Sequence, residues 1–264
     1  MPLVQAILYY IPTFILGIAM VSIALFLSIG GLLIIRAYIP THKIKLHNDI
    51  AGFIFATVGV IYAVLLAFMV IVSWQSFDQS ITDVTREASS ISSMYRDSAA
   101  LDPSFRTKLV AVLDDYVTAI VKEEWPLLAK GQKSQHVQVI QENLWKTFTQ
   151  ADPKGEVQKA FYAEMIAKLN NAGELRRERL IDSRTGIHPV LWFVLVAGGL
   201  LTILFPLFFG TENFVAQVLM TGILATLIAL ILMTVMVMDY PFTGDIKIPT
   251  ETFTSSLTHL ATVK

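Results

Sequence analysis

The sequence predicts an all-α integral membrane protein with four transmembrane helices and a helical bundle domain inserted between helices 2 and 3. Three observations predict it. Hydrophobic residues fill 54% of the 264 positions and mean hydropathy is +0.60, too apolar for an ordinary soluble domain of this length. The excess lies in four blocks almost free of charge. Most Asp, Glu, Lys and Arg falls instead between Asp78 and Arg184, so the chain is built for two solvents.

The N-terminal membrane part covers residues 1–74. Leu3 to Ile35 carries no charged side chain and is longer than the roughly 20 residues that cross a bilayer. Pro12 divides it into an interfacial lead-in, Pro2 to Ile11 with Tyr9 and Tyr10, and a span over about 14–35. A cleaved signal peptide fits poorly, because a basic leading region is missing and the apolar run is too long. The second span covers about 50–72 and is closed by Trp74.

Helix 2 is predicted to continue past the membrane. Phe77, Ile81, Val84, Ala88, Ile91 and Tyr95 recur at spacings of three and four with no Gly or Pro between them. One helix from about Ile50 to about Ala99 would be on the order of 75 Å long. The inserted domain, residues 75–188, then adds a helix opened by Asp102 and Pro103, with Phe105, Leu109, Val112, Leu113, Tyr116 and Ile120 buried and an end near Trp125 and Pro126. A third helix runs from about Ser134 to Thr149, with Val137, Ile140, Leu144 and Phe148 on one side. After Asp152, Pro153 and Gly155 a long helix carries Val157, Phe161, Met165, Leu169, Ala172 and Leu175 toward Arg184, and Gly186, His188 and Pro189 end it. Two long stalks flanking two shorter helices make an antiparallel bundle.

The C-terminal membrane part, 189–238, holds spans at about 189–209, opened by Trp192, and 214–238, closed by Tyr240. The tail, 239–264, starts with a turn, continues through a short extended piece at Ile246 to Ile248, and ends in a helix with Phe253, Leu257 and Leu260 on one face.

Composition and motifs exclude several classes of function. The net charge of −1 lacks the basic surface that nucleic-acid binding needs. Without cysteine there are no disulfides, thiolate metal sites or thiol nucleophiles. Phosphate-cradling Gly loops, HExxH and GxSxG are all missing, so no catalytic residue and no cofactor is expected. His42, His47 and Asp49 share a loop, but such residues beside a membrane are commonly solvated, and no metal is expected there. The spans hold no charged side chain, which argues against a proton-coupled carrier with a midplane carboxylate and leaves passive conduction or none.

Two patterns in span 2 are informative. Gly52, Ala56, Gly59, Ala63 and Ala67 form a small-residue stripe suited to close helix contact, within one chain or between copies. Val60, Val64 and Phe68, or in parallel Ile61, Leu65 and Met69, form apolar rows that line a hydrophobic constriction or face lipid. After span 4, Asp239, Pro241, Phe242 and Gly244 read as a structural clamp. The Asp239 carboxylate needs donors against the helix dipole, and the turn amides near Thr243 and Gly244, with Arg86 or an arginine of 176–184, are the expected partners. Phe242 is expected to fill a gap between stalk and span, and Gly244 to take a positive φ.

Asn48, Gly52, Gly59, Tyr62-Ala63-Val64-Leu65-Leu66-Ala67, Trp74 and Glu87, with Asp239, Pro241, Phe242 and Gly244, resemble a bacterial membrane family of unknown function whose members carry a bestrophin-like domain. The resemblance runs from the second span through the tail. Bestrophins are pentameric anion channels with four spans per subunit, an inserted cytosolic helical domain and a pore lined by the second span. The resemblance therefore implies a homo-oligomer, with a pentamer favoured, in the bacterial inner membrane, contacting lipid and passing a small inorganic anion.

Four spans place both termini and the inserted domain on one side. Arg36, Lys43 and Lys45 in the first short loop oppose Arg176, Arg177, Arg179 and Arg184, with Arg86 and Lys247, on the domain side, and the family layout tips the domain toward the cytoplasm. A second reading is a non-conducting scaffold or sensor subunit whose amphipathic stalks bind a partner.

Overall fold

The structure, a computed structural model, describes residues 1–261 apart from the side chains at 42, 43, 256 and 258–261. Its helices are, in order, α1 (Leu3–Tyr10), α2 (Thr13–Tyr38), α3 (Thr41–Lys45), α4 (Asn48–Asp97), α5 (Pro103–Ala119), α6 (Trp125–Leu128), α7 (Gln135–Thr149), α8 (Gly155–Asp182), α9 (Pro189–Leu204), α10 (Phe214–Met238) and α11 (Thr250–Ala261). Four of them, α2, α4, α9 and α10, are long and apolar enough to cross a membrane. As the apolar spacing predicts, α4 is a single helix of 50 residues.

The chain forms two compact units, one of Ile11–Ser76 with Gly186–Asp239, the other of Met1–Tyr10, Phe77–Thr185 and Tyr240–Lys264. The first, the membrane unit, contains α2, the opening part of α4, α9 and α10. Its core gathers Ala24, Tyr62, Leu66, Met69, Leu195, Ile203, Ala225, Ile228 and Val235. Most other side chains on these helices point outward and are large and apolar, Phe14, Phe26, Phe53 and Phe193 among them. A surface of this kind is suited to lipid rather than water.

The second, the bundle unit, packs α4 from Phe77 onward, α5, α7 and α8 around Val84, Ile91, Met94, Leu109, Leu113, Tyr116, Leu144, Phe148, Met165 and Leu169. The α5 start follows its sequence cue, with the Asp102 carboxylate accepting from the Ser104 and Phe105 amides. Ser134 caps α7 by accepting from the Val137 amide at 3.2 Å.

Two expectations for this unit, for α8 and for the tail, need correction. The helical run opened at Pro103 ends at Leu128, close to the expected Trp125 and Pro126. A wide π turn over Ile120–Glu124 leads into α6, where the proline stands in the first turn and needs no intrahelical donor. Val157 and Phe161 remain exposed, so the buried face of α8 starts only at Met165. The piece from Ile246 to Ile248 is a series of bends, held by the Ile248 amide donating to the Pro241 carbonyl at 2.8 Å. The readings for the His42 and Leu260 side chains lie outside the described residues.

The lead-in helix and the tail both pack into the bundle unit. Gln5 on α1 is fully buried, and its amide donates to the Ser183 carbonyl and to the Thr243 hydroxyl. Thr243 in turn donates to the Ala129 carbonyl. Phe242 and Phe253 enclose Trp125, each with ring centroids 5.9 Å from it, and the Trp125 indole donates to the Ile248 carbonyl.

Candidate permeation face and its supports

Within the membrane unit, α4 turns one narrow face inward. Tyr62, Leu66, Met69 and Ser73 are buried on it. The Tyr62 hydroxyl donates to the Leu195 carbonyl at 2.9 Å. Its ring lies against two glycines of α9: a Cβ at Gly198 would come within 2.7 Å of the ring, and one at Gly199 within 2.7 Å of the hydroxyl. The close helix approach in this unit therefore rests on Gly198 and Gly199.

The small-residue stripe of α4 lies beside this face. Ala56, Ala63 and Ala67 are exposed, and a Cβ at Gly52 or Gly59 would meet nothing within 4 Å. Gly59, Ala63 and Ala67 instead line one wall of an apolar groove of about 600 Å³, with Thr202, Ile228 and Ile231 opposite. The two apolar rows are placed differently. Val60, Val64 and Phe68 are 64%, 51% and 64% exposed. In the other row Ile61 is exposed, Leu65 half-buried and Met69 buried in the core.

The short-loop end of the membrane unit is tied by polar side chains. Arg36, closing α2, donates to the Gln217 carboxamide at 2.7 and 3.2 Å and to the Thr211 carbonyl at 2.6 Å, and its guanidinium lies over the Phe214 ring. Asn48 and the Gly210 backbone exchange two hydrogen bonds of 2.9 Å. Lys45 pairs with Glu212 in solvent. The Arg36–Gln217 contact had a legible cue, a lone cation ending one span and a lone amide opening another. Among the described residues no group of three His, Asp or Glu lies close enough to hold a metal.

At the other end, the Asp239 carboxylate accepts from the Ile187 amide at 2.5 Å and from the Trp192 indole at 3.0 Å. Its partners are thus neutral donors, where arginine and the turn amides were expected. Arg176 and Arg179 have carboxylate partners of their own in the bundle unit. The turn that follows belongs to that unit. Gly244 takes φ +87°, which an L side chain would resist, and a Cβ there would press to 3.3 Å from the Leu8 carbonyl. Phe242 packs on Trp125 inside the bundle core, so the gap between stalk and span is not its place.

Motif reading missed a buried charge network in the bundle unit. Arg179 donates to Glu87 at 2.7 and 3.0 Å and to Glu124 at 3.2 Å, and all three side chains are fully buried. Arg176 clasps Glu124 through Nε and Nη2 and donates to Gln141 through Nη1. Burial pushes the Glu87 carboxyl above its ordinary range, against the opposing pull of Arg179. The cue was present in the sequence: Glu87 interrupts the apolar stripe of α4 between Val84 and Ile91, and Arg176 and Arg179 extend the buried face of α8 beyond Leu175. The π turn brings Glu124 inside to meet them.

The fold and these contacts define an all-helical, multi-pass membrane protein with a charge-stapled helical bundle. The model of the bestrophin-like domain matches residues 22–253, and the chain belongs to the bestrophin-like family. Crystal structures of a bacterial bestrophin homolog from Klebsiella pneumoniae share the fold. One variant of it superimposes with a TM-score of 0.71 at 13% identity, covering 93% of this chain and 99% of the other. A second variant gives 0.69 at 13% identity, covering 93% and 98%. The structure phased on zinc gives 0.64 at 13% identity, covering 91% and 98%. No curated protein matches the sequence.

Proposed function

We propose that the chain assembles as a homo-oligomeric channel, a pentamer, that passes small inorganic anions through an axial pore lined by the membrane part of α4. The observation that carries this reading is the pair of unfilled faces on that helix. Val60, Val64 and Phe68 stand exposed at four-residue spacing, and beside them Gly59, Ala63 and Ala67 wall a groove that this chain leaves open. A helix of a second copy fits against small residues, where packing rather than the hydrophobic effect drives association in lipid. The exposed row is then left to face the axis as an apolar constriction. Met69, buried in the core of the membrane unit, argues for Val60, Val64 and Phe68 over the parallel row.

The reading places the protein in the bacterial inner membrane, with the bundle unit and both termini cytoplasmic. Its test is chloride flux into liposomes from purified protein, alongside oligomeric state in mild detergent. Gly59→Leu has room within the chain, because a Cβ there meets nothing within 4 Å. It should fold but hold a neighbouring helix away, giving a smaller species and no flux, while Ile61→Leu should match the parent. Well-folded oligomers without flux under any ionic condition would favour a non-conducting scaffold or sensor. A Gly59→Leu oligomer of parental size would show that the stripe is no contact surface.

A further inference from the structure

We propose that the groove between α7 and α8 of the bundle unit is a binding site for a phosphate-class anion, gripped by Lys133, Arg177 and Arg184 over a floor fixed by Arg176. The groove has a volume of about 560 Å³, ample for a diphosphate, and lies wholly within that unit. Four of its lining residues are cationic, and Glu142 is the one carboxylate among them. In a chain whose net charge is −1, this is a local concentration of positive charge that composition conceals.

Three of the four cations are held in no ion pair among the described residues. Lys133 donates to the neutral carboxamide of Gln138 at 3.0 Å, and Arg177 only grazes the Gly173 carbonyl at 3.4 Å. Among the described residues neither of them, nor Arg184, forms an ion pair. Of the acidic neighbours on α8, Asp182 accepts from Ser80, while Glu178 lies in the field of Arg177 without forming an ion pair with it. All three cationic side chains are exposed at the rim, free to close on a ligand.

The floor is rigid by contrast. Arg176, 4% exposed, has its guanidinium fixed on both edges by Glu124 and Gln141. Gly173 lets Gln141 lie against α8, since a Cβ there would come to 3.1 Å from the Gln141 amide nitrogen. A preset floor with exposed cations at its edge suits an anion with several acceptor oxygens. Guanidinium and ammonium donors then make charge-assisted bonds that a monatomic anion cannot fill together. Arg184 precedes the first residue of α9 by only five positions, so a phospholipid headgroup is a source of the same chemistry as a soluble phosphate.

The test uses the full chain in nanodiscs and reads binding, not flux, so its failure is separable from failure of the channel reading. Sodium pyrophosphate is titrated calorimetrically at matched ionic strength, in discs of phosphatidylcholine alone and in discs that also contain phosphatidylglycerol. Saturable binding in the neutral discs, weakened roughly tenfold or more in Lys133→Gln/Arg184→Gln, is expected, because two charge-assisted contacts are lost. Weaker apparent binding in the anionic discs, for the parent and not for the double variant, would support the site with lipid as its occupant. Lys108→Gln/Lys154→Gln removes equal charge from other exposed positions and should bind as the parent does. Absence of binding in the neutral discs with no effect of phosphatidylglycerol, or equal loss in the two double variants, would overturn the proposal.

Discussion

Arg179→Met should be among the most damaging substitutions in the bundle unit, and the structure says why and how it can be rescued. Arg179 is fully buried, and its three bonds at 2.7, 3.0 and 3.2 Å reach Glu87 and Glu124. After its removal Glu124 keeps both bonds from Arg176 and the Ser134 amide. Glu87 has no other hydrogen-bond partner in the network and is left as an unpaired buried carboxyl, with only the field of Arg176 to offset its charge. Removing one member of a buried pair costs about 3–5 kcal/mol, most of it the uncompensated charge left behind. For a protein of this size that corresponds to a melting point lower by roughly 6–20 °C. Arg179→Met/Glu87→Met removes both charges and should recover most of the loss, since apolar side chains of similar volume replace buried ion pairs with little penalty. The Arg179 guanidinium carbon lies 5.4 Å from the centroid of the Trp125 ring, so tryptophan fluorescence during thermal unfolding in detergent reports on the site. The two single variants and the double close a cycle, with an expected coupling of about 3 kcal/mol. Single effects below about 1 kcal/mol, or effects that add in the double variant, would refute the view that this network holds the bundle together.

Two further outcomes follow from carboxylates at the edges of the helices. Asp239→Asn keeps one acceptor oxygen where two donors, the Ile187 amide and the Trp192 indole, each use one. The loss of one hydrogen bond to a charged group, about 1.5–3 kcal/mol, should lower the melting point and leave ion selectivity as it is. Altered selectivity at normal stability would instead put Asp239 on the permeation path. Asp182 is half-buried near Asp83, and burial, aided by that neighbour and opposed by the Ser80 hydrogen bond, raises its carboxyl above the ordinary value of 3.8. A raised folded-state value means that its contribution is fully present below the unfolded pKa and is lost as pH rises through the folded one. Asp182→Asn should therefore melt higher than the parent at pH 7, with the gain vanishing near pH 4. A difference that does not change over that range would remove the electrostatic explanation.

How far the sequence reaches is clearest on α4. Its length and continuity follow from apolar spacing without Gly or Pro breaks beyond Trp74, and its membrane part from the lack of charge between Ile50 and Trp74. Which face of that membrane part packs inward does not follow, because in lipid all its faces are apolar and hydropathy cannot rank them. The choice is made by shape: the Tyr62 ring fits over Gly198 and Gly199, more than 130 positions away, and this turns the stripe of Gly59, Ala63 and Ala67 outward.

The sequence by itself determined the four apolar spans, the helical insertion and the cap at Asp102, because each depends on composition or on neighbours within a turn or two. Only the tertiary structure decided that α1 and the tail join the bundle, that Asp239 is held by Ile187 and Trp192, and that Glu87, Glu124, Arg176 and Arg179 meet in one core. Those contacts link positions 47 to 238 residues apart, and charge alone leaves many pairings equivalent until packing brings one set within hydrogen-bond distance.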